Sequence, residues 1–351
     1  MDLLELTIKK YHQAIRDRNM TSVELVEYYL DRINRFDGAL KSIICINPWA
    51  VEHARSLDHS FIKKGDWRGL LHGVPVLLKD NIETKELPTT AGSLSLQDFR
   101  SGRDAAIVRK LRDAGAIILA KTNLHEFALW GETISSVKGQ TLNPYDLTRT
   151  PGGSSGGTGA ALAANMGLAG IGTDTINSIR SPASANNLVG LRPSMGRVSR
   201  AGIIPYSLTQ DTAGPMARTV EDAALILSVI QGYDSNDPGT QICIETNNAP
   251  LTDNGIKGKR LGVMRSFFGQ SPENTEVNEV MRSALLQFNE TGACLVEIPD
   301  FVDSNELVRD ISVHQYDLRA HLNQYLAAQI APVHSLQEII DSGLFHPGSK
   351  T

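Results

Sequence analysis

Three groups in this chain could do chemistry together. Lys79 ends the apolar run Gly73-Val74-Pro75-Val76-Leu77-Leu78 and is followed by Asp80-Asn81. Ser154 sits in Thr150-Pro151-Gly152-Gly153-Ser154-Ser155-Gly156-Gly157, and Ser178 in Gly172-Thr173-Asp174-Thr175-Ile176-Asn177-Ser178-Ile179-Arg180. Each has an ordinary reading by itself. A Gly/Ser run is linker composition, a lysine closing a strand usually carries its ammonium out to water, and a turn serine needs no special role. The Gly/Ser run leads, however, straight into Ala160-Ala161-Leu162-Ala163-Ala164, which reads as a small-residue helix packed closely on a neighbour. Two serines in tight turns and a lysine at the end of a buried strand describe a serine nucleophile activated without histidine.

Further motifs follow in order: Ala120-Lys121-Thr122-Asn123-Leu124-His125-Glu126-Phe127-Ala128, Gly190-Leu191-Arg192-Pro193, Gly196-Arg197-Val198-Ser199 and Gly214-Pro215-Met216-Ala217-Arg218-Thr219-Val220. Together with the Lys79 and serine segments they make the chain resemble the amidase signature family, from near Glu5 to near Gly232. The resemblance implies an α/β fold with a mixed, largely parallel central sheet covered by helices. It implies a single domain over residues 1–351, with the part after the motifs, 233–351, shortened relative to the family. It also implies a Ser–cis-Ser–Lys triad, with Lys79 as base, Ser154 as the bridging cis-serine and Ser178 as nucleophile. Ser155 is the neighbouring serine and is not assigned to the triad.

The residue types suit that chemistry. A serine hydroxyl is a weak nucleophile until a base removes its proton. Lysine serves as that base only when neutral, and burial lowers its pKa by disfavouring the ammonium; arginine is not tuned this way. A hydroxyl both donates and accepts, so Ser154 can pass a proton between the other two. Attack on an amide carbonyl produces an oxyanion. The backbone N–H groups of Thr175, Ile176, Asn177 and Ser178 are the candidates to hold it, at roughly 3 kcal/mol per donor. The amine leaves, water hydrolyses the acyl-enzyme, and no metal or organic cofactor is needed. The expected activity is therefore that of an amidase on linear amide C–N bonds, with a small or medium carboxamide as substrate.

The family usually carries Gly-Gly before the nucleophile, where this chain has Ile176-Asn177. Glycine permits positive φ, whereas isoleucine there is strained. Either residue 176 keeps an ordinary backbone conformation or the oxyanion loop is altered. Backbone donors do not depend on side-chain identity, so the hole is expected to survive and the isoleucine to reshape the acyl pocket. The second reading is the glutaminase-type component of a tRNA-dependent amidotransferase, its A subunit, which has the same triad and needs partner subunits. It ranks lower because of Ile176-Asn177 and of Ser207-Leu208-Thr209-Gln210-Asp211-Thr212, where that subfamily resembles Asp-Gln-Ile-Gly-Pro. A third reading is a truncated, non-catalytic homologue.

The elements that must position these groups alternate. Thr21 and Glu24 form a capping box, opening a helix with Val26, Tyr29, Leu30 and Ile33 on one face. Strands are expected at 42–46, 74–78, 116–120, 168–172, 260–264 and 294–298. Helices are expected at 105–114, 155–166, 219–230, 276–288 and 306–328, and a surface loop at 232–253. The Ser178 turn then lies beyond a strand's carboxyl end, where open α/β sheets carry their sites. Lys121 to Glu126 reads as a turn supporting the site, and Asp174 and Arg180 as anchors of the nucleophile loop.

Composition sets the outer bounds. With 351 residues, 41% hydrophobic and 21% charged, the chain is an ordinary globular one. A net charge of −5 gives no reason to expect nucleic acid as a partner. The three cysteines Cys45, Cys243 and Cys294 show no metal spacing; Cys45 and Cys294 lie in apolar runs and read as buried thiols. The nine histidines hold no close pair, and His314 and His321 read as a polar helix face. No signal-like segment opens the sequence and no apolar run is long enough to span a membrane. The expectation is a cytoplasmic enzyme without membrane attachment; association into a homo-oligomer is left open.

Overall fold

Local sequence sets the first helix ends. In the computed structural model, which describes residues 3–242, 251–252, 255–299, 306–307 and 312–349, Thr7 caps helix α1 (Ile8–Arg16) through its side chain. Thr21 and Glu24 complete the capping box of α2 (Ser22–Leu40), with Thr21 N donating to Glu24 Oε2 at 2.7 Å and Glu24 N to Thr21 Oγ1 at 3.2 Å. There follow β1 (Ile43–Ile46), α3 (Ala50–Lys64), β2 (Pro75–Lys79), α4 (Ala106–Asp113) and β3 (Ile117–Thr122). A small hairpin, β4 (Ile134–Ser135) and β5 (Gly139–Gln140), precedes α5 (Gly156–Ala163) and β6 (Ala169–Asp174). Then come α6 (Arg180–Ala185), β7 (Val189–Gly190), β8 (Thr212–Ala217) and α7 (Val220–Ile230).

The strands form one six-stranded mixed sheet in the order β1-β3-β2-β6-β8-β7. Its centre, β3-β2-β6, is parallel, and β1, β8 and β7 join antiparallel. Every residue of β2, β3, β6 and β8 is buried. That is why these strands read as continuous apolar or small-residue runs and not as alternating ones. Because β2 and β6 are adjacent and parallel, Lys79 and Asp174 emerge together at the carboxyl edge.

Strand β6 runs two residues further than the sequence reading placed it, because β8 pairs with it to the end, Thr173 opposite Ala213 and Asp174 opposite Thr212. Strand β8 itself was not anticipated. Gly214-Pro215 reads as a breaker, yet Pro215 lies opposite Ile171 and accepts from Leu191 N through its carbonyl at 3.0 Å. Helix α1 was also missed; five of its nine residues are buried, but they are interleaved with charged ones.

By packing, Met1–Thr246 and Tyr316–Thr351 form one unit, and Asn247–Gln315 a second. The second unit pairs β9 (Arg260–Met264) in parallel with β10 (Cys294–Ile298), joined through α8 (Thr275–Glu290). In the first, α9 (His314–Ala327), which belongs to it from Tyr316 onward, and α10 (Leu336–Ser342) contribute Leu322, Leu326 and Ile339 to a smaller core with Ala91, Leu96, Phe99, Phe127 and Ile204. Cys294 is exposed, contrary to the sequence reading, because it opens a strand in a two-stranded sheet that one helix covers incompletely. Cys45 is half-buried, and burial pushes its thiol up to about 11. Cys243 and part of the expected helix 306–328 lie outside the described residues. Among the described residues no helix is long and apolar enough to cross a membrane.

Helix α5 packs closely on the turn after β3. A Cβ on Gly157 would stand 2.2 Å from the carbonyl oxygen of Asn123, which accepts from Gly157 N at 3.1 Å. Gly157→Ala is therefore expected to cost at least about 2 kcal/mol in urea unfolding. Gly38→Ala in α2, where nothing stands within 4 Å, should instead stabilise by roughly 0.5 to 1 kcal/mol. Equal effects from the two changes would refute the close-packing account.

Candidate active site

Lys79 is the last residue of β2 and has no exposed surface. Its Nζ lies 2.7 Å from Ser154 Oγ, 2.8 Å from Thr173 Oγ1 and 3.3 Å from the Thr173 carbonyl oxygen. Burial lowers its pKa to about 7, against the opposing charges of Asp174 and Asp211.

Ser154 precedes α5, and the Gly153–Ser154 peptide bond is cis. Its carbonyl accepts from His125 N at 3.0 Å, so the turn after β3 holds it in place. Thr133 braces the same turn, its hydroxyl donating to the Gly152 carbonyl at 2.7 Å and accepting from Gly156 N at 3.0 Å. Ser155 turns the other way. Its hydroxyl meets the Thr173 carbonyl at 3.1 Å and the Thr173 N–H at 3.3 Å, and its own N–H reaches the Ser178 carbonyl at 3.2 Å. Lys79 and Ser154 thus touch directly, and Ser178 joins them through the backbone of Ser155.

The loop carrying Ser178 is clasped by Asp174, at the end of β6. This buried carboxylate accepts from Ile179 N at 3.1 Å, from Arg180 Nε at 3.2 Å and from Arg192 Nη1 at 2.8 Å. Burial works against its charge, but Arg180, the Ile179 N–H and Arg192 together hold its carboxyl below the usual range. Arg180 also donates to the Ile176 carbonyl, and Arg192 to the Asp174 and Gln210 carbonyls. Neither Ile176 nor Asn177 has a positive φ, so the Ile-Asn pair takes an ordinary backbone. The Ile176 side chain is exposed.

A narrow cavity opens beside these groups, lined among others by Asn81, Thr173, Thr175, Ile203, Tyr206 and Asp211. Ile176 is not part of its wall. Thr175 donates its hydroxyl to Asp211 Oδ1 at 2.5 Å, and Asp211 Oδ2 accepts from Tyr206 N at 2.8 Å and Ser207 N at 2.9 Å. Burial raises the pKa of Asp211, opposed by those hydrogen bonds and by Lys79. Asp211, Thr173 and Asn81 were not selected from the sequence. An acid three residues before Gly214-Pro215, and hydroxyl and amide side chains within five residues of the chosen Lys79 and Ser178, were the available signals.

Behind Lys79 lies a buried ion pair, Asp80 with Lys121 at 2.7 Å, both without exposed surface. Thr90 donates to Asp80 from N–H and hydroxyl, at 2.9 and 2.5 Å, and Lys121 reaches the Thr89 hydroxyl at 3.0 Å. A buried pair resists loss of either member, because the survivor keeps an uncompensated charge. His321 accepts from Leu208 N at 3.1 Å through Nδ1. Among the described residues no group of three or more His, Cys, Asp or Glu is placed to hold a metal ion.

Known proteins resemble this chain in sequence and in fold. The amidase family model matches residues 24–345. The A subunit of glutamyl-tRNA(Gln) amidotransferase from Microcystis aeruginosa is 40% identical over 293 residues, which are 83% of this chain and 60% of that protein. The native peptide amidase of Stenotrophomonas maltophilia superposes with a TM-score of 0.86 at 38% identity, over 97% of this chain and 71% of that one. The A subunit of glutamyl-tRNA(Gln) amidotransferase from Thermotoga maritima gives a TM-score of 0.77 at 29% identity, over 98% and 70%. The chain spans 60% of the length of the curated relatives it matches. Matched in sequence over most of its length and in fold by solved members, the chain belongs to the amidase family.

Proposed function

We propose that this chain hydrolyses a carboxamide C–N bond through an acyl-enzyme on Ser178. The observation that carries the reading is the fully buried lysine amine in direct contact with a serine hydroxyl, Lys79 Nζ to Ser154 Oγ at 2.7 Å. A neutral Lys79 accepts the Ser154 proton while Ser154 takes that of Ser178, whose oxygen attacks the carbonyl. Backbone N–H groups among Thr175, Ile176, Asn177 and Ser178 stabilise the oxyanion. The proton returns through Ser154 to the leaving amine, and water repeats the sequence on the acyl-enzyme.

For the substrate, the names of the curated relatives favour the amidotransferase reading, with glutamine as the amide, over a free-standing amidase of small carboxamides. The ordinary backbone at residues 176 and 177 removes one reason for ranking that reading second. The peptide amidase likeness supports peptide amides as the other class to assay. In the amidotransferase reading the ammonia goes to partner subunits.

A fluorophosphonate should label Ser178, read by peptide mass spectrometry, and Ser178→Ala should abolish both labelling and ammonia release from glutamine and peptide amides. Labelling confined to Ser155 would overturn the assignment, and release from peptide amides alone would overturn the glutamine reading.

Lys79 gives a second test, with a defined sign. Turnover should rise with pH through about 7 as the amine deprotonates. Lys79→Ala should lower kcat by roughly three or more orders of magnitude, and Lys79→Arg should not restore it. Between the folded value of about 7 and the ordinary 10.5, the unfolded chain binds a proton that the folded chain does not, so stability rises with pH across that window. The cost of the buried ammonium is complete below the window. Lys79→Met should therefore gain most over wild type near pH 6, and the gain should shrink by up to about 1.4 kcal/mol per pH unit above 7. A gain constant from pH 6 to 9 in denaturant titrations would show that the lysine does not bury a shifted amine.

A further inference from the structure

We propose that Thr173 is a positioning residue that aims the base: its two oxygens take two N–H bonds of Lys79 and leave the third direction of the nitrogen for Ser154. The inference rests on the acyl-enzyme reading above. An ammonium has three N–H donors and no acceptor. Lys79 Nζ has three acceptors within reach, Ser154 Oγ, Thr173 Oγ1 and the Thr173 carbonyl. Deprotonation replaces one N–H with a lone pair. A carbonyl cannot donate, so that direction keeps its N–H, and the lone pair faces one of the two hydroxyls.

The two hydroxyls are not equivalent. Asn81 Nδ2 donates to Thr173 Oγ1 at 3.1 Å. Thr173 is fixed in β6 opposite Ala213, with Ser155 on its N–H and its carbonyl. One lone pair of its hydroxyl oxygen thus belongs to Asn81 and the other to Lys79, which leaves its proton to the remaining direction, away from both donors. The lone pair of Lys79 is left for the Ser154 proton. Charged and titratable groups facing Lys79 are Asp174 at the end of β6, Asp211 ahead of β8 and His125 in the turn after β3; all three remain when Thr173 is replaced.

The test is the rate of Ser178 labelling by a fluorophosphonate as a function of pH, with turnover of any hydrolysed amide beside it. Thr173→Val should lower the high-pH plateau about 10- to 100-fold. It should also move the acid limb to lower pH by about one unit, since the ammonium loses an acceptor. Turnover should fall in kcat with KM little changed. Thr173→Ser should stay within about threefold of wild type. Thr173→Ala, which also removes the hydroxyl and cannot overpack, serves if the valine variant does not fold. Wild-type labelling by the valine or alanine variant overturns the inference. So does a limb that moves to higher pH, which would mean that the hydroxyl donates to the amine. A wild type unlabelled at every pH overturns the acyl-enzyme reading itself, and this inference with it.

Discussion

An amine sealed from water needs protein atoms in place of its hydration shell, or it must give up its charge. Lys79 stands between these outcomes. Three oxygens surround its nitrogen, and two carboxylates lie near enough to oppose the effect of burial without cancelling it. The rest of the local structure follows from keeping that balance. Lys79 must end a strand with no solvent-facing side, so it comes from the centre of the sheet. The acceptors must come from elements that do not move, which β6 and the turn into α5 supply.

The same constraint explains why the two carboxylates nearest Lys79 are each held by several donors. Asp174 is held by two arginines and a backbone N–H, and Asp211 by Thr175 and two backbone N–H groups. Each carboxylate is fixed in place and its field at Lys79 is fixed with it. The Asp80–Lys121 pair keeps a second buried charge compensated directly behind the site. A half-satisfied network here would let charges reorient, at the cost of the several kcal/mol carried by an unpaired buried ion.

Much of this was legible in the chain. The Gly/Ser run, the apolar stretch ending in Lys79 and the small-residue segment after Ser155 each carry a local signal, and the structure has a strand, a turn and a helix there. The capping box at Thr21 and Glu24 places α2 to within a residue. Less legible were features that depend on partners distant in sequence. Strand β8 contains Gly214-Pro215 and exists because β6 and β7 flank it. Asp211 looks like a loop acid until Tyr206, Ser207 and Thr175 converge on it. Thr173 has no signature apart from its position, since its role depends on Lys79, 94 residues earlier. The exposure of Cys294 and the division into two packing units depend on how much neighbouring surface covers a strand, and hydrophobic pattern alone does not report that.

That separation along the chain has a consequence for how the protein comes into being. Lys79 meets Ser154 across 75 residues and Thr173 across 94, so the contacts that seal the amine are among the non-local ones that form late, after the entropy of closing long loops has been met. Until β2 and β6 lie side by side, the lysine is hydrated, protonated and unable to accept a proton. A nascent or partly unfolded chain therefore carries its serines as inert hydroxyls. Whatever reactivity the centre has is acquired only with the completed sheet, and it is lost as soon as the sheet opens.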